Sequence, residues 1–191
     1  MKLLVPVLFA LGLAAQTTSD APQYTSDNHL LLPANYREWI YLSSGLGMTY
    51  GPAATADHGN PKFENVFVSR TAYNAFRESG RWPDKTMLIL EIRRAAEKGS
   101  INTAGHYQTE TLAVEAAVKD EHRFPQKWAY FSFGQSDKGT MFPANSACNS
   151  CHNQKAAVEN TFVQFYPTLL EVATRKGTLN RAYSEAAEQH P

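Results

Sequence analysis

Cysteine is scarce in this chain: among 191 residues there are only two, Cys148 and Cys151. An excess of charge of one sign is also missing, because 18 basic side chains balance 18 acidic ones and the formal net charge is zero. This balance argues against the one-sided electrostatic field with which proteins attract nucleic acids or anionic membranes. We therefore expect a partner that is small and uncharged, or a protein that contacts a local surface patch, and no nucleic acid.

Apolar runs long enough for a bilayer are absent as well. The run at residues 3–13 is too short for the roughly 20 residues that span a membrane. It follows the basic Lys2 and precedes the small residues Ala14 and Ala15, which is the order of regions in a secretory signal peptide. We predict a signal peptide over residues 1–15, export to the periplasm, and a mature form without a membrane span.

The rest of the chain has the composition of a folded domain, since the whole sequence is 43% hydrophobic and 12% aromatic. Such a content supports a hydrophobic core and argues against wholesale disorder. The polar residues 16–30 predict a flexible N-terminal segment. We expect one domain over residues 31–175 and a C-terminal tail over residues 176–191.

Strands are predicted in the middle of the chain and helices at both ends. The predicted strands are residues 63–68, 86–92, 109–118 and 128–133. The predicted helices are a short one carrying Tyr36, Trp39, Ile40 and Leu42, one from Ser69 or Thr71 to Gly80, and a final one carrying Phe162, Phe165, Leu169, Leu170 and Val172. This order predicts the α+β class, with a mainly antiparallel β-sheet and flanking helices.

The two cysteines belong to one motif near the C-terminus, Cys148-Asn149-Ser150-Cys151-His152. In this CxxCH pattern two thiols are spaced to add to the two vinyl groups of one porphyrin, and the histidine follows directly to reach the iron. The pattern predicts one haem c, attached through Cys148 and Cys151, with His152 as the proximal metal ligand.

Three alternatives compete with haem attachment. A plain disulfide is normal for neighbouring cysteines outside the cytoplasm, but it gives no reason for the adjacent histidine. A structural zinc site needs a fourth ligand and seldom has adjacent Cys and His ligands. A thioredoxin-like motif belongs near an early βαβ unit, whereas this motif lies near the C-terminus. The predicted export favours haem, because c-type haem is attached outside the cytoplasm.

The sixth coordination position of the iron separates the possible functions. A methionine or histidine there is typical of an electron carrier, whereas an open position permits chemistry or gas binding. The candidate sixth ligands are Met48, Met87, Met141, His58, His106 and His122. The residue types alone leave this choice open.

Several segments, in order along the chain, carry a family resemblance. They are residues 32–39 (LPANYREW), 63–68 (FENVFV), 73–84 (YNAFRESGRWPD), 118–120 (VKD), 123–125 (RFP), 148–152 (CNSCH) and 161–167 (TFVQFYP). Together they resemble the cytochrome P-460 family, which includes the cytochromes c′-beta, over about residues 31–173. The resemblance implies an antiparallel β fold with flanking helices, a homodimer, and a five-coordinate haem whose proximal ligand is His152 and whose distal face is open.

The resemblance also implies one of two activities. Cytochromes P-460 proper carry an additional covalent bond from a lysine nitrogen to the porphyrin and oxidise hydroxylamine to nitrous oxide or related nitrogen oxides. Cytochromes c′-beta lack that bond, have an apolar distal pocket and bind nitric oxide. We favour a hydroxylamine oxidoreductase, with nitric oxide binding and simple electron transfer as the alternatives.

The choice between the branches depends on a lysine. Lys85 lies at a Pro-Asp-Lys-Thr turn before the most hydrophobic predicted strand. The resemblance implies that the branch without the cross-link commonly has glycine at this place, which is a better turn residue. We therefore predict Lys85 as the cross-linking residue, against the alternative of an ordinary solvated lysine. Lys119 is the second candidate, although Asp120 and Glu121 beside it suit a charged strand end.

Turnover of hydroxylamine also requires a proton acceptor. A partly buried carboxylate is suitable, because its pKa moves towards the working pH. We predict Glu159 as this catalytic base, with Glu91 as the alternative. The electrons are expected to leave singly to a small exported redox protein.

Overall fold

The computed structural model describes residues 20–50 and 61–189, and within them the chain forms a seven-stranded antiparallel sheet with the strand order β1-β7-β6-β5-β4-β3-β2. The strands are β1 (Leu30–Leu31), β2 (Ile40–Leu46), β3 (Lys62–Val68), β4 (Met87–Ala96), β5 (Tyr107–Lys119), β6 (Trp128–Gly134) and β7 (Lys138–Met141). The helices are α1 (Arg70–Ser79), α2 (Ala147–Lys155), α3 (Pro167–Lys176) and α4 (Arg181–Gln189). The predicted α+β class with a mainly antiparallel sheet is confirmed.

Strand β4, an interior strand of the sheet, begins with an apolar run because both of its faces are covered there. Leu88 packs in one core, on the side of helices α1 and α3. Its neighbours Met87 and Ile89 pack in a second core on the opposite face. Successive side chains of a strand point to opposite faces, so β4 supplies both cores. Full burial of each such side chain contributes about 1.5–3 kcal/mol.

The pairing register of β3, β4 and β5 determines which residues lie on the face of the sheet that carries Leu88, called the first face below. Leu90 of β4 pairs with Val66 of β3 and with Glu115 of β5. Directly paired residues point to the same side of a sheet. A carboxylate from β5 therefore stands in the same row as two aliphatic side chains, on the face that also carries Leu88.

The predicted first helix is wrong. Only a 3₁₀ turn forms, at Tyr36–Glu38, and the chain then continues as strand β2. Tyr36 and Trp39 pack in the second core, whereas Ile40 and Leu42 pack against the first. The apolar residues thus serve two faces of a sheet instead of one face of a helix.

The predicted final helix begins later than expected. Phe162 and Phe165 lie before it, around the 3₁₀ turn Val163–Phe165. Helix α3 starts at Pro167, because proline is favoured at the first helical position and cannot supply a backbone donor further inside. The two phenylalanines therefore lie outside the helix and line the site described below.

Both ends of the described chain carry ordered contacts. Leu30 is fully buried and its backbone bridges to Tyr24, inside the predicted flexible segment. Leu179 and Tyr183 pack against the first core, inside the predicted C-terminal tail. The predicted signal peptide lies outside the described residues. Every helix in the described residues is too short or too polar to traverse a lipid bilayer.

Candidate functional site

Helix α2 brings the three residues of the CxxCH motif together. Ser146 caps its N-terminus, because its side chain accepts a hydrogen bond from the backbone nitrogen of Asn149 at 3.4 Å. Residues three and four apart share one helix face, so Cys148, Cys151 and His152 point the same way. Both thiols are free, and all three residues line one cavity.

The imidazole of His152 is held between two aromatic rings. Its ring centroid lies 4.2 Å from that of Tyr130 and 4.3 Å from that of Phe162. Its Nδ1 atom lies 2.8 Å from the backbone oxygen of Asn160. A carbonyl oxygen only accepts, so Nδ1 carries the proton and the lone pair is on Nε2.

Burial lowers the pKa of His152, although the hydrogen bond to Asn160 opposes the shift. The imidazole is consequently neutral at neutral pH. A neutral ring with its proton fixed on one nitrogen is the form in which histidine binds a metal.

The cavity lies against the first face of the sheet and has a volume of about 420 Å³. This lies within the range of roughly 300–1,000 Å³ typical of small-molecule and cofactor sites. Strands β2 to β6 form one wall, and helix α2 with the segment before α3 forms the other. The apolar lining residues include Val66, Leu88, Leu90, Ala116, Ala117, Phe142, Ala147, Phe162 and Phe165.

Two carboxylates interrupt this apolar lining. Glu115 of β5 and Glu64 of β3 are both partly buried and both line the cavity. Burial raises the pKa of Glu115, and the negative charge of Glu64 raises it further. Burial also raises the pKa of Glu64, against the hydrogen bond donated by Tyr50 and the charge of Lys62. Neither lysine nor arginine is found among the described lining residues.

Glu115 was missed by the sequence reasoning although a signal exists. It stands inside the predicted strand 109–118, between Val114 and Ala116, which are buried. A carboxylate within such an apolar strand is costly to bury. Carboxylates of this kind are common at functional sites.

Lys85, the predicted cross-linking residue, is not among the described residues that line the cavity. Its Nζ atom pairs with Oδ1 of Asp120 at 2.5 Å, and its side chain is 42% exposed. Its backbone has a φ angle of 64°, in the left-handed region that favours glycine. The lysine therefore occupies a tight turn and is held by an acidic neighbour away from the cavity lining.

The buried Lys119 and the partly buried Glu159 form an ion pair, and neither is among the described residues that line the cavity. The Nζ atom of Lys119 lies 3.0 Å from Oε2 of Glu159 and donates to the backbone oxygen of Trp82 at 2.7 Å. Glu159 also accepts from Nε1 of Trp128 at 3.3 Å. Glu159 is thus engaged next to Asn160, whose backbone oxygen contacts His152, and its placement does not suit a base facing the open cavity.

Glu91 lies on the opposite face of the sheet. It accepts hydrogen bonds from the hydroxyl of Tyr36 at 2.8 Å and from Arg37, and Arg93 lies 3.3 Å away. Burial would raise the pKa of Glu91, but the hydrogen bonds from Arg37 and Tyr36 outweigh it and the pKa is lowered. The alternative base is therefore a structural carboxylate.

The candidate sixth ligands are widely scattered. Met48 lines the cavity, with its sulfur over Gly45. Met87 is buried in the second core and Met141 is half exposed. His106 pairs with Glu97 at 2.9 Å and His122 is exposed. His58 lies outside the described residues.

The donor set suits a haem better than the alternative of zinc. In the part of the chain that the structure describes, no three His, Cys, Asp or Glu side chains converge as they would on a metal ion. Two free thiols and one imidazole on a single helix face instead border an apolar cavity, as attachment of a porphyrin requires.

An antiparallel sheet with an apolar cavity, bordered by a helix that carries two thiols and an imidazole, fits a haem protein of the cytochrome class. The family model described as Cytochrome P460 matches residues 33–163, which is more than half of the chain. The chain therefore belongs to the cytochrome P460 family, as the sequence resemblance predicted, and membership implies a haem cofactor. No curated protein matches the chain.

Proposed function

We propose that this protein is an exported mono-haem c-type cytochrome that oxidises hydroxylamine to nitrous oxide or related nitrogen oxides. The observation that carries this proposal is the presence of Glu64 and Glu115 in a mostly apolar cavity. Burial of a carboxylate is costly, and simple gas binding gives no use for two of them. Oxidation of an N–H and O–H substrate does, because it releases protons.

The motif residues hold the cofactor in this proposal. The thiols of Cys148 and Cys151 form the thioether bonds, and Nε2 of His152 is the proximal ligand. When bound, the haem supplies a metal coordination position and one-electron redox steps. Phe162 and Tyr130 fix the plane of the imidazole by packing on both of its faces.

Glu115 is the proposed proton acceptor. Conversion of two NH₂OH molecules to N₂O and H₂O releases four protons and four electrons. An efficient acceptor has a pKa close to the working pH, and burial raises the pKa of Glu115 in that direction. Tyr50 donates a hydrogen bond to Glu64 and is itself exposed, so this hydrogen-bonded pair reaches from the cavity to the protein surface. The electrons pass to a small exported redox protein.

We propose that the thioethers of Cys148 and Cys151 are the only covalent attachments of this haem. The described cavity lining contains no lysine, and residues 51–60, which the structure does not describe, contain none either. Lys85 is engaged with Asp120. The chain thus combines proton-accepting carboxylates with a haem that lacks the lysine bond.

Nitric oxide binding without turnover is the second candidate. The aliphatic and aromatic side chains that surround the two carboxylates favour it, because they suit a small neutral diatomic ligand. Electron transfer alone is a third candidate, favoured by the position of Met48 in the cavity. A ferrous spectrum of a six-coordinate haem would support electron transfer.

The decisive variant for catalysis is Glu115→Gln, which keeps the shape of the side chain and removes the proton acceptor. We expect the rate of hydroxylamine oxidation to fall by about 10²–10⁴-fold, with nitric oxide binding retained. The measurement is nitrous oxide production coupled to reduction of an artificial one-electron acceptor.

Glu110→Gln is the matched control. Glu110 lies on the same strand but is exposed and paired with Arg94, so this variant should oxidise hydroxylamine at the wild-type rate. Wild-type activity in Glu115→Gln would contradict the assignment. A wild-type protein that binds nitric oxide but produces no nitrous oxide would favour the second candidate.

The homodimer and the periplasmic location implied above are part of the proposal. The exposed large hydrophobic residues of the described chain provide surface for a second copy or a redox partner. They include Leu31, Tyr41, Leu46, Tyr50, Ile101, Tyr107, Met141 and Phe165.

A further inference from the structure

The backbone oxygen of Asn160 has two hydrogen-bond donors. Nδ1 of His152 lies 2.8 Å from it, and the hydroxyl of Tyr130 lies 3.1 Å from it. A carbonyl oxygen only accepts hydrogen bonds, so the phenol hydroxyl of Tyr130 is the donor. We propose that Tyr130 is a positioning residue that weakens the hydrogen bond from His152 and thereby sets the strength of the proximal ligand.

The effect follows from the chemistry of a shared acceptor. Each hydrogen bond that a carbonyl oxygen accepts withdraws electron density from it, so a second donor is bound less strongly. A weaker bond from Nδ1 leaves the imidazole with less negative charge. The basicity of a ligating histidine depends on this outer hydrogen bond. Tyr130 therefore makes His152 a weaker donor to iron.

The oxygen of Asn160 is held in place by contacts that do not involve Tyr130. Glu159 before it is fixed by the ion pair with Lys119, and its own backbone oxygen accepts from Nδ2 of Asn180 at 2.7 Å. Thr161 after it donates from its backbone nitrogen to Val158 at 2.9 Å. Removal of the phenol hydroxyl should therefore leave the carbonyl where it is and change only the charge on its oxygen.

The ring and the hydroxyl of Tyr130 have separable roles. The ring packs on the imidazole with its centroid 4.2 Å away, and phenylalanine preserves this packing. Only the hydroxyl reaches the carbonyl oxygen. Tyr130→Phe accordingly isolates the hydrogen bond, and its effect does not depend on catalysis.

This inference rests on the proposed haem attachment but not on hydroxylamine oxidation. The experiment is resonance Raman spectroscopy of the ferrous holoprotein, with the midpoint potential measured in parallel. We expect Tyr130→Phe to raise the iron–histidine stretching frequency and to lower the midpoint potential. A fluorinated tyrosine at position 130 is a stronger hydrogen-bond donor and should shift both quantities in the opposite direction. This second variant still tests the inference if the phenylalanine variant loses haem.

Tyr36→Phe is the matched control, because it removes a phenol hydrogen bond to Glu91 of 2.8 Å on the opposite face of the sheet. It should leave both quantities unchanged. An unchanged or lower stretching frequency in Tyr130→Phe would overturn the inference and leave the proposed function intact. Absence of haem from the wild-type protein would overturn both the inference and the proposed function. Absence of hydroxylamine oxidation alone would change neither the stretching frequency nor the midpoint potential.

Discussion

Glu64 and Glu115 stand on the same face of the sheet, one row apart, because Glu64 pairs with Ile92 and Glu115 pairs with Leu90 of the strand between them. Their charges therefore interact through a cavity that is mostly apolar. Like charges in such surroundings disfavour simultaneous ionisation. The protonation of one carboxylate thus depends on the charge of the other, and this coupling leads to a prediction for pH dependence.

Glu64→Gln should shift the acid limb of hydroxylamine oxidation to lower pH. A base must be ionised, so the rate falls as pH decreases through the pKa of Glu115. Burial and the charge of Glu64 both raise that pKa, and removal of the charge lowers it. The measurement is the pH profile of kcat/KM. An acid limb that stays in place or moves to higher pH would show that the two carboxylates are not coupled.

At the scale of single residues, the sequence predicts the motif residues, which line the cavity, and it predicts Lys85 and Glu159, which are not among the described lining residues. Cys148, Cys151 and His152 are recognisable because their chemistry depends on spacing within one helix turn. Glu115 reaches the cavity through a register across three strands, which no local pattern contains. Lys85 is an unusual turn residue in the sequence, whereas its ion pair with Asp120 joins residues that are 35 positions apart along the chain.

At the scale of elements, strand β4 separates two chemically different faces. Leu88 and Leu90 face the cavity, and Glu91 faces a cluster on the other side. Tyr36, Arg37, Arg93 and Thr111 all approach Glu91. This cluster ties the 3₁₀ turn before β2 to the middle of the sheet, so we expect Glu91 to contribute to stability and not to catalysis.

Glu91→Ala should lower the free energy of unfolding by about 2 kcal/mol, because it leaves a phenol and two guanidinium groups without their acceptor. The loss stays small because Arg37 is 55% exposed and regains hydrogen bonds to water. Urea unfolding measures the change. Glu110→Ala, which breaks an exposed pair, should leave the free energy of unfolding nearly unchanged. Equal effects of the two variants would contradict the role given to the cluster.

The strands that the sequence predicted are those with strong apolar or aromatic content. Strand β7, with the sequence Lys-Gly-Thr-Met, has no such pattern and was not predicted. The segment after Tyr36 was mistaken for a helix, because its apolar residues serve two cores on opposite faces. Only pairing with β3 decides between these two structures, and pairing is a property of the whole sheet.

At the scale of the whole molecule, the sheet and helix α2 have separate tasks. The sheet supplies a rigid apolar wall with two carboxylates, and the helix brings the thiols and the imidazole to its edge. Most of the fold class followed from composition and order of elements, and the family followed from dispersed motifs. The positions of Glu64 and Glu115 in the cavity wall depend on how the strands pair in the assembled sheet.

The central claim is that one haem is attached covalently to Cys148 and Cys151, and its most direct test is the mass of the denatured protein. The protein should be produced in a host that attaches c-type haem. We predict an intact mass that exceeds the polypeptide by one haem, and after digestion a single haem-bearing peptide that contains residues 148–152 and no linked lysine. A colourless protein of polypeptide mass, with its two thiols free or joined to each other, would contradict the account.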